Sequence, residues 1–384
     1  MKIVIAPDSF KGSLSAPEAA RAIKAGLARV WPEAEYCLFP VADGGEGTVA
    51  AMTALTNGQY FFEKVLDPLG REVEAAWGLL GDGRTAVVET ASCSGLTLLG
   101  PEELNPAAAS TYGLGQLINK ILAHDSVKRL LVGLGGSATN DAGAGLLAAL
   151  GAELLDRAGR PIPPGGLGLE ELDRIEIRNL NSRLAEVEIT VASDVQNPLT
   201  GPDGASAVFG PQKGAGPELA GRLDRALSRF ADRARRATGR DMADRPGAGA
   251  AGGLGAAFLF FTRAGFRPGV EVVLEEGRFL EQAAGADLVI TGEGRSDRQT
   301  AWGKAPAGVA ALARRLGAPV ALLSGALGEG YQELYHHNIA AMMSLAPGPL
   351  ALQTAMAEAA PLLEEAAERL ARLLSLKWNG RRPD

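Results

Sequence analysis

Cysteine and histidine are nearly missing from this chain of 384 residues. The two cysteines, Cys37 and Cys93, give neither a disulfide framework nor a CxxC zinc site. The three histidines, His124, His336 and His337, all stand outside the glycine-rich loops, which argues against histidine-based metal or triad chemistry. Aromatic residues make up only 5% of the chain. No run approaches 18 apolar residues, so a membrane-spanning helix is not expected. The opening MKIVIAPDSF has only a short apolar run before Pro7 and Asp8, too short for a signal peptide, and a cytoplasmic protein is expected. The formal net charge of −7 disfavours nucleic acid or an anionic membrane surface as partner. GxxxxGK[ST], GxSxG and HExxH are absent too, which removes the Walker-type P-loop, the nucleophile elbow and the zincin helix.

Glycine is abundant instead. It supplies 50 of 384 positions, about twice the ~7% average. The glycines follow no period and form no linker; they cluster in seven loops beside Asp, Glu, Asn, Ser and Lys. Glycine used in this way lets backbone N–H groups come close to an anion, and helix N-termini attract the same charge.

The texture alternates β-α-β-α at the start: Lys2–Ala6 as a strand, Ala16–Val30 as a helix behind Ser15 and Pro17, Ala34–Val41 as a strand and Thr48–Leu55 as a helix. Between 58 and 90, short runs separated by DPLG and GDGR suggest antiparallel hairpins. Lys128–Gly133 reads as a strand, and 217–240 as an amphipathic helix with Leu219, Leu223, Leu227 and Phe230 on one face. The arginines opposite read as a solvated face. Residues 244–256 are either a linker or the opening of a helix. From 286 the β-α rhythm returns and ends in a helix over Pro361–Leu376. The expected architecture is one parallel-sheet α/β domain built from both chain ends, 1–65 and 285–384, with a mixed α/β domain inserted at 66–284.

In open parallel sheets, ligands bind at the carboxyl ends of the strands. Loops leaving such ends carry Asp8, Ser9 and Lys11; Asp43, Glu46 and Thr48; and Glu293, Asp297 and Lys304. The central region adds VGLGGSATNDAGAG (132–145), SDVQNPLTGPDGASAVFGPQKGAG (193–216) and AGAAGGLGAA (248–257). Phosphoryl transfer suits these residue types: lysines and N–H groups for phosphates, carboxylates for Mg²⁺, and an acid to take the hydroxyl proton. Lys11, Lys213 and Lys304 suit the first task, Glu293 and Asp297 the second, with Asp43 or Glu46 as further candidates, and Asp194 the third. A rival reading comes from Gly133-x-Gly135-x-x-Ala138 after a strand, with Glu153 or Asp156 near the distance expected of a ribose acid. That pattern would suit a nicotinamide-dependent hydroxyacid oxidoreductase.

Taken together and in this order, IAPDSFKGSLSA, VADGGEGT, VGLGGSATNDAGAG, SDVQNPLTGPDGASAVFGPQKGA, PGAGAAGGLGAA and DLVITGEGRSDRQTAWGKAP resemble the bacterial glycerate kinase family of the glycerate 2-kinase type. The resemblance runs from residue 3 to about 308, and the last strands also fit. It implies ATP- and Mg²⁺-dependent phosphorylation of D-glycerate to 2-phosphoglycerate, with 3-phosphoglycerate the alternative product, and a flavodoxin-like domain carrying an inserted α/β domain. Ser193 stands where the family often has Cys. On this reading Asp8, Ser9, Lys11, Asp43, Glu46 and Asn197 would hold the substrate, with Lys11 on its carboxylate. Gly135, Gly136, Ser137, Asn140, Asp141, Gln212, Lys213, Gly253 and Lys304 would hold ATP. Asp194, helped by Lys11 and Lys213, would be catalytic, and Glu293 with Asp297 would hold Mg²⁺. Monomer and homodimer both stay open.

Overall fold

The computed structural model describes residues 1–376. Its strands in chain order are β1 (Lys2–Pro7), β2 (Glu35–Leu38), β3 (Gln59–Leu66), β4 (Glu72–Leu79), β5 (Thr85–Glu89), β6 (Arg129–Gly133), β7 (Glu153–Leu155), β8 (Arg174–Glu176), β9 (Glu188–Ala192), β10 (Gly265–Arg267), β11 (Leu288–Ser296), β12 (Val320–Leu327) and β13 (Ile339–Ser344). The chain divides into two compact units, Met1–Ala42 with Val273–Asp384, and Asp43–Val272. The sequence texture put the seams near 65 and 284. Both fall earlier, the first because the helix Thr48–Leu55 packs on β4 and β5 of the central unit.

The unit made of both chain ends holds a five-stranded, fully parallel sheet in the order β2-β1-β11-β12-β13. Numbered within the unit this is 2-1-3-4-5, the flavodoxin-like order, whose strand order reverses between β1 and β11. KIVIAP and LVITGEGRS are apolar runs because both faces of a parallel sheet are covered. On one face the helix Ala16–Ala28 packs against the helix Ala359–Leu374. The first of these starts at a capping box, in which Ser15 accepts from the Glu18 N–H and the Glu18 carboxylate accepts from the Ser15 N–H. Ile3, Ile5, Ile23, Leu27, Ile290 and Leu363 lie at the centre of the core.

The central unit holds a six-stranded mixed sheet in the order β10-β9-β6-β5-β4-β3. β10, β9, β6 and β5 run parallel; β4 and β3 form the expected antiparallel edge. Trp77 on β4 is fully buried, stacked on Phe61 with His124 against its edge, so that histidine is a packing residue. The helix Pro217–Thr238 buries Leu223, Leu227 and Phe230, and its arginines pair outward, Arg222 with Glu170 and Arg233 with Asp173. The glycine-rich 244–256 stretch opens a helix, Ala250–Phe261, through three left-handed residues, Ala251, Gly252 and Gly253. A Cβ on Gly252 would collide with the Thr139 carbonyl, which is why the turn lies tight against the 139–142 loop. Among the described residues no helix is long and apolar enough to cross a membrane.

Candidate active site

In the unit built from both ends, the site residues gather where the strand order reverses. Pro7 on β1 is in register with Gly292 on β11, so Asp8, just past the end of β1, stands level with Glu293 in β11. The Asp8 N–H donates to the Gly292 carbonyl at 2.8 Å, and Asp8 Oδ1 accepts from the Ser9 N–H. The loop that follows carries Phe10 and Lys11 across β11, with Gly294 beneath their backbone. Lys11 itself is exposed.

Glu293 is buried, and its Oε1 accepts from both Ser296 Oγ at 2.9 Å and Thr300 Oγ1 at 2.7 Å. Burial pushes its pKa up; the two hydroxyls and Lys304 pull against that rise. Asp297 caps the short 3₁₀ turn Arg298–Trp302 by accepting from the Gln299 N–H, with Arg295 Nε 3.6 Å from its other oxygen. Lys304 stands at the N-cap of the helix Ala305–Arg315.

In the central unit, Asp43, Glu46, Glu89 and Asp194 converge at the carboxyl ends of β5, β6 and β9. Asp43 accepts from the Gly45 N–H at 3.0 Å. Glu89 closes β5 and takes the Gly47 and Val49 N–H groups, the first turn of Thr48–Leu55. Burial pushes the Glu89 pKa up to about 7 against those two bonds, and Glu46 and Asp43 add to the rise. Asp194 follows β9. One flank is exposed, yet the protein around its carboxyl pushes its pKa up to about 6, Asp43 and Glu271 adding to the shift and the Gly269 N–H opposing it. Asn197 organises its own loop: its Nδ2 donates to the Asp203 carbonyl, and its carbonyl accepts from the Gly249 N–H.

The 133–145 loop lies directly on the 43–47 loop, with the Gly135 N–H donating to the Gly44 carbonyl at 3.2 Å. Gly136 is left-handed, and Ser137 pairs across to Gly95. Lys213 is fully buried beside this loop, donating from Nζ to Ser137 Oγ at 2.9 Å and the Thr139 carbonyl at 2.6 Å. Burial lowers its pKa to about 7, with Asp141 opposing. Gln212 next to it is exposed. Asn140 donates to Ser206 Oγ, while Asn140 Oδ1 and Thr139 Oγ1 are buried without a partner.

Asp141 is fully buried and accepts from the N–H groups of Thr111, Gly143 and Gly145 and from Thr111 Oγ1. It therefore occupies the positive ends of the helices Tyr112–Leu122 and Ala144–Ala149 that an external anion would otherwise seek. Gly253 packs within 2.8 Å of Leu199 Cδ1 for any added Cβ.

Glu89, Glu271 and Thr111 escaped sequence reasoning. Glu89 does end a strand, a signal that could have found it, but no glycine follows it.

Among the described residues, no set of three His, Cys, Asp or Glu side chains is arranged to hold a metal ion. Mg²⁺ is commonly held by one or two carboxylates together with substrate phosphates. Glu293 suits such an ion, because both of its hydroxyl partners meet Oε1, which leaves Oε2 as the oxygen it would offer.

The comparisons with known proteins agree over the whole fold. A sequence profile of the Glycerate kinase family matches residues 3–375. A glycerate kinase from Bacillus subtilis (strain 168) is 48% identical over 376 residues, 98% of each chain. A glycerate 2-kinase from Escherichia coli (strain K12) is 46% identical over 345 residues, 90% of each chain. A solved structure named as a glycerate kinase 2 of Salmonella typhimurium LT2 superposes with a TM-score of 0.85 at 47% identity, covering 97% of this chain and 98% of that one. Neither this agreement nor Asp156, which is tied up by Arg160, favours the nicotinamide reading. With profile, identity and fold coinciding from end to end, this chain belongs to the glycerate kinase family.

Proposed function

We propose that the protein transfers the γ-phosphoryl group of ATP to the 2-hydroxyl of D-glycerate, giving 2-phosphoglycerate and ADP. The observation that carries the chemistry is Asp194: a carboxylate at a strand end whose pKa is raised to about 6 can take a proton from a hydroxyl near neutral pH. The name of the Escherichia coli relative, glycerate 2-kinase, favours the 2-position.

In this reading the exposed Lys11 pairs with the glycerate carboxylate; Asp8 and Ser9 in its own unit, and Asp43, Glu46 and Asn197 in the central unit, are the further residues assigned to the substrate. Gly135, Gly136, Ser137, Gln212, Gly253 and Lys304 serve the phosphates. Lys213, Asn140 and Asp141 act from beneath: Lys213 holds Ser137 and Asp141 fixes the two helix starts. Glu293 and Asp297 would hold Mg²⁺, which when bound neutralises phosphate charge. The substrate hydroxyl loses its proton to Asp194 as its oxygen bonds to phosphorus, and ADP leaves with the bridging oxygen.

The test is a ³¹P NMR time course with ATP, Mg²⁺ and D-glycerate, with L-glycerate as control. Growth of a 2-phosphoglycerate resonance is the expected result. A 3-phosphoglycerate resonance would keep the kinase and change the product, and no phosphoester from either isomer would overturn the reading.

A further inference from the structure

A cavity of about 810 Å³ lies within the central unit, beneath the turn that joins β3 to β4. We propose that it is the nucleoside subsite of the enzyme, taking the purine base and ribose of the phosphoryl donor while the phosphates lie outside it. This rests on the kinase reading above.

Size points away from glycerate and towards a larger ligand. Pockets for drug-sized molecules span roughly 300–1,000 Å³, several times what a three-carbon acid fills. Much of the lining is apolar: Leu66, Leu69, Leu155, Ile162 and Pro163 all face it. Tyr112 stands half-exposed at the edge, where a flat ring can stack on a base.

Charge makes the same selection. No lysine or arginine lines the cavity, and its two charged side chains, Asp67 and Glu153, are both acids. A free phosphate or carboxylate finds no counter-charge there. A neutral base with an amino group, and ribose hydroxyls that donate, find acceptors. Asp67 is already engaged by the N–H groups of Leu69 and Arg71 and by Arg71 Nε, whereas the exposed Glu153 accepts one long bond, from Asn179 Nδ2 at 3.5 Å on Oε1, and is therefore the acceptor assigned to ribose.

Connectivity supplies the remaining argument. The floor of the cavity is the helix Ala144–Ala149, through Ala144, Gly145 and Ala148. That helix springs from the 133–145 loop, and Glu153 begins the strand that follows it. Asp141 fills the N–H groups at the start of the helix, so the phosphates have no place within the cavity. The Gly133–Ala138 pattern and the acid that follows it thus serve a mononucleotide, with Glu153 in the ribose role.

The experiment titrates the full chain with ADP by calorimetry and maps amide exchange with and without it. ADP is expected to protect the 66–70 and 161–165 segments. Ala148 is exposed on the floor, so Ala148→Trp fills the cavity without disturbing the core, and it is expected to weaken ADP at least about ten-fold. Glu153→Gln is expected to weaken ADP about five-fold and to leave 2′,3′-dideoxy-ADP unchanged. ADP binding with no protection at either segment overturns the cavity assignment alone. No ADP binding to the parent chain overturns the nucleotide reading and the subsite with it. Should Ala148→Trp fail to fold, the exchange map of the parent chain decides.

Discussion

Glu89 is a carboxyl held where charge is costly. Burial dominates and lifts its pKa to about 7, although the Gly47 and Val49 N–H groups favour the ionised form. A group whose pKa is raised in the folded state contributes stability that is fully present below its unfolded value near 4.5. That contribution is lost as pH rises through about 7. Denaturant melts between pH 4.5 and 8 are therefore expected to show the parent losing about 3 kcal/mol relative to Glu89→Gln. Parallel pH profiles would refute the assignment. Lys213 behaves with the opposite sign. Its lowered pKa means its contribution is complete above 10.5 and fades as pH falls through about 7. The two groups therefore strain the unit in different pH windows.

Asp194 carries a prediction of rate rather than stability. If it accepts the hydroxyl proton, Asp194→Asn lowers kcat by about 10²–10⁴-fold. In the parent, kcat falls on the acid side as Asp194 takes up a proton. The apparent pKa of that limb is expected at or below about 6, because solvent reaches the exposed flank and screens Asp43. Near-normal turnover in Asp194→Asn removes it as the base.

At the scale of elements, the central unit depends on loops pressed backbone to backbone. A Cβ on Gly135 would stand 2.5 Å from Gly45 Cα, and one on Gly133 would collide with the Gly44 carbonyl. Gly135→Ala should push the 133–145 and 43–47 loops apart. It is expected to lower kcat/KM at least about ten-fold while costing no more than about 1–3 kcal/mol in melts. Unchanged kinetics would mean that the loops act independently. Such loops were legible in the sequence because glycine beside Asp, Ser and Asn after an apolar run is a local signal. The strands were legible for a similar reason: KIVIA and DLVIT are continuous apolar runs. Asp141 and Lys213 were visible as residues, but their burial depends on Thr111, Ser137 and Thr139, partners far away or on other elements. The seam near 42 was hidden because Thr48–Leu55 belongs with β4 and β5, a long-range contact that no local texture encodes.

At the scale of the whole molecule, each unit has a core of its own. One is drawn from residues 3–27 and 288–371, the other from 65–260, and among the described residues no side chain belongs to both. The first closes where β1 pairs with β11 and where Ala16–Ala28 meets Ala359–Leu374, two helices separated by most of the chain. Gly26 is the point of closest approach. A side chain there would collide with the Glu364 carbonyl and stand 2.9 Å from Ala367 Cβ. Arg29, one turn on, pairs with Glu364 and Glu368, but these exposed ion pairs contribute little beside the packing. Gly26→Val therefore overpacks the contact and is expected to cost about 3 kcal/mol. The loss should be local, because proteins open in cooperative units that follow their cores. Amide exchange is expected to rise across β1, β11 and the two helices while β6 and β9 keep their protection. If protection falls equally in all of them, the two cores unfold as one, and the division at 42 and 272 has no energetic meaning.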